Sequence, residues 1–303
     1  MTRVTVFGTG ALGCWMAGRL SAFTGAAVTV AGSWPEGLRA IASEGIVVQE
    51  PERTFTAHPA AAGPADPLAA ADLALVLVKS HQTAGLAARV ARAVTDSGRV
   101  VTLQNGLGNR EALAAAAGER VRAGVVVAGV RLVAPGTVVA SSGSVTLDAA
   151  GGDGGMARLA ELLAAAGVPT RLVPDIEPEI WRKLAVNCAI NPLSALLRLP
   201  NGALLAQAAT RERMCAAARE VAAVARARGL LLGDVAQAVI EVAGRTAGNR
   251  SSMLQDRDRG ARTEIDALCG AVAAEGRRLG VPTPVNERLW HEVAALDTAG
   301  ARA

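Results

Sequence analysis

The first half of the chain alternates two hydrophobic rhythms. RVTVFG reads as a short buried strand, ALGCWMAGRLSAF as a helix and AAVTVAG as a second strand. Further on, DLALVLVKS and RVVTLQN are apolar strands, each leading into a helical run, HQTAGLAARVARAV and NREALAAAAG. Strands alternating with helices predict a parallel, doubly wound sheet. AGVVVAGVRLVAPGTVVASSGSVTLD reads as β structure broken at Pro135-Gly136, a hairpin-like extension, and MARLAELLAAAG with VPTRLVP adds a last helix and strand. Beyond Asp175 only helical periodicity remains, with Glu177-Pro178 opening a helix whose first turn tolerates proline. The fold class expected is therefore α/β, an N-terminal Rossmann-type doubly wound sheet followed by an all-helical C-terminal domain. The domains expected are residues 1–172 for dinucleotide binding and 173–303 for substrate.

Composition narrows the chemistry. The 303 residues are 51% hydrophobic and 19% charged, which suits a globular protein long enough for two cores. A net charge of +4 is mild, the arginines are scattered and aromatics reach only 2%, so the clustered cations and stacking rings of a nucleic-acid binder are missing. No run of uninterrupted apolar residues is long enough to suggest a membrane span. RVTVFG enters a strand at once, which leaves no room for a secretory leader. Cys14, Cys188, Cys215 and Cys269 are far apart, with no histidine at zinc spacing, so no metal is expected. Four free thiols suit a reducing compartment, and the location expected is cytoplasmic.

Gly8-Thr9-Gly10-Ala11-Leu12-Gly13 ends a strand, opens a helix and leads into a second strand, the context in which GxGxxG binds a dinucleotide. Gly8 permits the turn, Gly10 admits the pyrophosphate and Gly13 lets helix and strand approach, while the helix N-terminus supplies N–H groups to the phosphates. Where NAD-binding chains place a carboxylate, this chain has Ala31-Gly32-Ser33. Ser33 could donate to a 2′-phosphate with Arg39 as the nearest cation, so NADP (NADPH) is the cofactor expected. Glu36 argues the other way if the strand runs longer.

Only two lysines occur, Lys79 and Lys183, among 31 basic residues. Lysine can lose its proton and arginine cannot, so a retained lysine suits proton donation. Lys183, Asn187 and Asn191 follow at i, i+4 and i+8 along one helical face, with a kink or break expected at Pro192. The plain alternative is a polar row that bonds neighbouring helices. Lys79 and Asn105 fall at the carboxyl ends of two strands, the edge where such sheets bind ligands. In SSMLQDRDRGARTEID, Ser251 and Ser252 look like an N-cap pair, and Glu264 lies near the start of an amphipathic helix, where a surface charge would be ordinary.

GTGALG, VKSHQT, LQNGLG, WRKLAVNCAINPLSALLRLPNG and SSMLQDRDRGARTEID together resemble the ketopantoate reductase (2-dehydropantoate 2-reductase) family over nearly the whole chain. The resemblance implies reduction of 2-dehydropantoate by NADPH to pantoate, on the route to pantothenate. It implies Lys183 as proton donor with Glu264 orienting the site. Asn187, Asn191, Asn201 and Ser252 are implied as substrate contacts, and Asn105 as a residue between cofactor and substrate. Lys79, Val130 and Glu264 are implied near the cofactor. Ser33 departs from the arginine that members often carry at the 2′-phosphate. The partner implied is a small 2-keto acid, without nucleic acid or membrane; a homodimer is left open, since the sequence does not read out the oligomeric state. The alternatives are reduction of another branched 2-keto acid, or a non-catalytic NADP-binding sensor.

Overall fold

The computed structural model describes residues 1–300 and divides them into two compact units. The first holds residues 1–104 and 109–176, the second 105–108 and 177–300. The first unit extends past the boundary expected at 172, because the strand β10 (Thr170–Val173) pairs in parallel with β9 through Val173↔Asp148.

In the first unit, β1 (Arg3–Phe7), α1 (Ala11–Phe23) and β2 (Ala27–Ala31) form the opening βαβ. There follow α2 (Pro35–Glu44), the short strands β3 (Ile46–Gln49), β4 (Thr54–Ala57) and β5 (Ala60–Ala62), β6 (Ala71–Val76), α3 (Thr83–Arg92), β7 (Val94–Thr102) and α4 (Asn109–Ala117). The antiparallel hairpin β8 (Val121–Ala134) and β9 (Thr137–Asp148) turns at Pro135-Gly136, and α5 (Gly154–Ala165) precedes β10. The sheet order is β4-β3-β9-β8-β7-β6-β1-β2-β5, with β10 beside β9. The six strands from β5 to β8 are parallel.

Both faces of the parallel part are covered, so its strands carry continuous apolar runs rather than alternation. One layer joins Trp15, Met16 and Leu20 of α1 to Val4, Val6, Leu75 and the hairpin's Leu147. The other joins Phe7, Val76 and Val100 to Val90 and Leu113 of α3 and α4. α1 is buried almost all round, from Gly13 to Leu20, because it touches β3, β4 and β9 as well as β1 and β2. Residues 35–62 show why β3 to β5 escape a reading by hydrophobic run: they are three or four residues long and lie among glycine, proline and charge. The helix expected to reach Val94 stops at Arg92, since Val94 already pairs with Ala71 in the sheet.

All regular structure described in the second unit is helical: α6 (Glu177–Leu197), α7 (Ala208–Ala227), α8 (Val235–Arg245), α9 (Ser252–Asp258), α10 (Ala271–Leu279), α11 (Pro284–Gly300) and single turns between them. α6 is the central rod and packs against α7, α8, α9 and α11, which explains its mostly buried surface. It does not end at Pro192, where a kink or break was expected, but runs on to Leu197. Proline removes the N–H that would bond the carbonyl of residue 188. That carbonyl instead accepts a long contact from the Cys269 Sγ, at 3.8 Å. No described helix is long and apolar enough to cross a membrane.

Candidate functional site

In the first unit, β1 delivers the glycine loop and α1 receives it. Gly8 has φ +129° and its N–H donates to the Ala31 carbonyl at 2.8 Å, fixing the turn to β2. A Cβ on Gly13 would stand 2.0 Å from the Gly8 carbonyl oxygen, so helix and loop touch with no room for a side chain. Gly10 differs. It is the exposed N-cap of α1, and a Cβ there would meet nothing within 4 Å. α1 has no capping side chain and no acidic residue in its first turn. Its leading N–H groups thus have no capping side chain and its dipole no opposing carboxylate in the first turn, which fits a pyrophosphate. Gly13→Ala should force the loop off the helix, at a cost of ~1–3 kcal/mol for overpacking. Titration with the dinucleotide should show affinity reduced about tenfold or more, with a lower Tm by calorimetry; wild-type affinity would mean the loop is not the phosphate site.

β2 ends at Ala31, so Ser33 lies just beyond it, exposed, and no carboxylate stands at the strand end. Glu36 belongs to the first turn of α2, where it pairs with Arg39 at 3.5 Å, both side chains open to solvent. Lys79 lies past the end of β6 rather than on it, and its N–H donates to Gln82 Oε1 at 3.2 Å across a short turn. Gln104, just past β7, donates to the Val78 carbonyl at 2.9 Å and to Thr83 Oγ1 at 2.8 Å, tying the two strand ends together. Val130 sits on the hairpin opposite Ala140 and packs on the core.

In the second unit, Lys183 stands in the second turn of α6. The residue as a whole is only partly buried, yet protein packed around its ammonium pushes the pKa down to about 8. The neighbouring Glu264 carboxylate partly offsets that shift. Glu264 is buried at 9% exposure, so it is no ordinary surface charge. It lies near the start of a helical run, as expected, but that run opens with a π-helical turn, Asp266–Gly270, before continuing into α10. Such turns recur at functional sites.

Asn105 was expected at the end of a sheet strand. β7 stops at Thr102, and Asn105–Gly108 belongs with the helical unit. The Leu107 N–H donates to the Ala267 carbonyl at 2.9 Å, and a Cβ on Gly106, where φ is +84°, would stand 2.3 Å from the same oxygen. That glycine lets the loop dock on the turn that follows Glu264. Asn187 is partly buried and Asn191 buried, on the α6 face that carries Lys183.

Asn201 is held elsewhere. Its Nδ2 donates to Thr246 Oγ1 at 2.9 Å and its N–H to the Asn249 carbonyl at 2.9 Å, while its buried Oδ1 has no protein donor. Of the serine pair, Ser251 alone caps α9, accepting from the Leu254 N–H at 3.1 Å; Ser252 is an exposed first-turn residue. Sequence reasoning missed Thr263 and Asp297, which meet at 2.8 Å across 34 positions, a pairing without any local signal. Among the described residues, no cluster of histidine, cysteine or carboxylate side chains could hold a metal ion.

A family model described as "Ketopantoate reductase PanE/ApbA" matches residues 4–152, and its C-terminal counterpart matches 175–297. The chain is 36% identical to a 2-dehydropantoate 2-reductase of Halobacterium salinarum over 95% of its own length and 96% of the relative's. A PanE/ApbA family ketopantoate reductase from Ralstonia eutropha superposes with a TM-score of 0.91 at 32% identity, covering 99% of each chain. D-mandelate dehydrogenase in complex with NADH superposes with a TM-score of 0.87 at 25% identity, covering 98% of this chain and 99% of that one.

Proposed function

The chain belongs to the ketopantoate reductase family, and we infer from that membership and from its Lys183–Glu264 pair that it reduces 2-dehydropantoate to pantoate, the precursor of pantothenate and coenzyme A. NADPH, the reductant of the family, supplies the hydride when bound at Gly8–Gly13. As the keto oxygen gains negative charge, the Lys183 ammonium stabilises it and then passes it a proton. What supports this role is the setting of Lys183, on one face of α6 with Asn187 and Asn191 and within the influence of the buried Glu264 carboxylate. Burial favours the neutral lysine that donation leaves behind, while Glu264 keeps the proton in place until it is needed, and the balance falls at about 8.

The asparagines give the keto acid its orientation. Asn187 and Asn191, on the lysine's face of α6, and Asn105, on the loop docked at the π-helical turn, offer amides to the carboxylate and keto groups. Asn201 is assigned to the substrate on family membership; in this structure its Nδ2 donates to Thr246 Oγ1 and its Oδ1 is enclosed by protein. Ser252, in the first turn of α9, donates towards the carboxylate. Lys79 and Val130 are assigned to the cofactor side, and Ser33 to the 2′-phosphate. A homodimer and a cytoplasmic location go with this reading; four buried free cysteines agree with a reducing compartment.

The test is turnover of 2-dehydropantoate with NADPH, followed by loss of the reduced nicotinamide absorbance; no turnover would remove the reading. A second reading, reduction of a different 2-keto acid, draws on the likeness to D-mandelate dehydrogenase. Comparing kcat/KM for 2-dehydropantoate, 2-ketoisovalerate and the keto acid of mandelate separates the two.

Cofactor choice gives a further prediction. With no carboxylate at the end of β2, NADPH should exceed NADH in kcat/KM, and Ser33→Asp should shift the ratio towards NADH by about tenfold or more. An introduced carboxylate repels the 2′-phosphate and accepts from the ribose hydroxyls. An unchanged ratio would show that Ser33 does not face the ribose.

A further inference from the structure

We propose that Asp297, on the C-terminal helix, is a positioning residue for Glu264, holding the short backbone segment that carries that carboxylate. The proposal rests on the catalytic reading of the Lys183–Glu264 pair. Asp297 Oδ2 accepts both the Thr263 N–H, at 3.1 Å, and the Thr263 hydroxyl, at 2.8 Å. Thr263 is itself buried at 3% exposure, and its oxygen accepts from the Ile265 N–H at 3.4 Å. The residues on both sides of Glu264 are thus tied, directly or through one hydroxyl, to a single carboxylate oxygen. The Glu264 carbonyl is engaged too, accepting from the Ala267 and Leu268 N–H groups at 3.1 Å each. A few bonds fix the backbone at 263–265, and Asp297 is their outermost anchor.

Helix stability alone does not account for an aspartate there. Asp297 falls in the last turn of α11, which carries no basic residue, and a carboxylate at a helix C-terminus opposes the dipole. α11 makes a third bond to the same segment, from Trp290 Nε1 to Asp266 Oδ1 at 2.8 Å. The helix therefore grips the segment at two points, and only the Asp297 bonds fall immediately beside Glu264.

Several other charges near these groups pair among themselves, as Glu179 does with Arg182 on α6 at 3.0 Å. Arg262 and Asp266 line a cleft of about 340 Å³ together with Asp297 and pair with each other at 3.0 Å. On α9, which packs on α6, Asp256 pairs with Arg259 at 3.0 Å and Arg257 donates to the Ala195 and Leu196 carbonyls. Glu264 is the charge that acts on Lys183. If Glu264 loses its place, Lys183 keeps the burial and loses the compensation, so its proton leaves at lower pH.

The experiment compares Asp297→Leu, Asp297→Asn and Thr263→Val by kcat/KM against pH, with Tm measured alongside and Glu264→Gln as reference. Asp297→Leu should lower kcat/KM about tenfold and move the alkaline limb to lower pH, in the direction taken by Glu264→Gln. Asp297→Asn should stay within about threefold of wild type with the limb in place, since one amide oxygen can accept both bonds that Oδ2 accepts now. Thr263→Val, which keeps the N–H bond and loses the hydroxyl, should fall between them and serves if the leucine variant does not fold. A leucine variant with a lower Tm but an unmoved limb overturns the proposal while leaving the lysine–glutamate reading intact. So does an asparagine variant that falls as far as leucine, which would make the charge of Asp297 the active quantity. A Glu264→Gln limb that does not move brings down the underlying reading and the proposal with it.

Discussion

Replacing Lys183 with alanine should lower kcat by roughly 10²–10⁴, the usual worth of a positioned acid, while leaving NADPH affinity near normal. The phosphates are assigned to the Gly8–Gly13 loop and the uncapped N-terminus of α1, in the other unit, so binding should not register the change. Lys183→Arg separates charge from proton transfer. Arginine keeps the cation, so an electrostatic role survives it in large part; a donor role does not, since guanidinium holds its proton above pH ~12. The arginine variant should therefore recover little of the lost rate, and one running within a few-fold of wild type would place proton transfer elsewhere. The wild-type profile carries the same signature. Reduction needs the protonated lysine, so kcat/KM should be level below pH about 8 and fall as pH rises through that value. A limb near the ordinary lysine range would mean the ammonium is not the group that titrates.

The opening βαβ was legible to within a residue because its signals are local. α1 begins and ends where the apolar run does, and the glycine spacing is dictated by a 2.0 Å approach that no side chain survives. The hairpin at Pro135-Gly136 and the helical second half were legible for the same reason. What stayed hidden depends on distant partners. β3 is a strand because β9 lies alongside it, Val48 opposite Val138, and its four residues could not announce that. Pro192 reads as a break, yet α6 continues, because helices on several sides hold it and the Cys269 thiol reaches the carbonyl that proline leaves unpaired. The candidate site divides along the same line. Lys183, Asn187 and Asn191 share a face by periodicity alone, and the oddity of a lysine in an arginine-rich chain was visible in the composition. The transfer of Asn105 to the helical unit and the anchoring of Thr263 by Asp297 were not visible, since each joins segments remote in sequence.

Glu264→Ala should reduce kcat/KM by an order of magnitude or more, each tenfold corresponding to ~1.4 kcal/mol of transition-state stabilisation. The cause would be a lysine left without its compensating charge: burial then acts alone, the Lys183 pKa falls below about 8, and less of the enzyme is protonated at neutral pH. The alkaline limb should accordingly move to lower pH, and Glu264→Gln, similar in size but uncharged, should move it in the same direction. Stability supplies an independent check, and its sign follows from linkage. A native lysine near 8, against an ordinary 10.5, binds fewer protons than the unfolded chain between those values. Stability from this group therefore rises as pH increases through that window, and charging it is a cost borne below it. Removing Glu264 widens the window downwards, so the alanine variant should be less stable than wild type at pH 7 and regain part of the difference as pH is raised. Chemical denaturation at several pH values measures this. A variant that turns over and unfolds like wild type would leave Glu264 as a buried carboxylate with no hold on Lys183, and the acid at this site would have to be sought elsewhere.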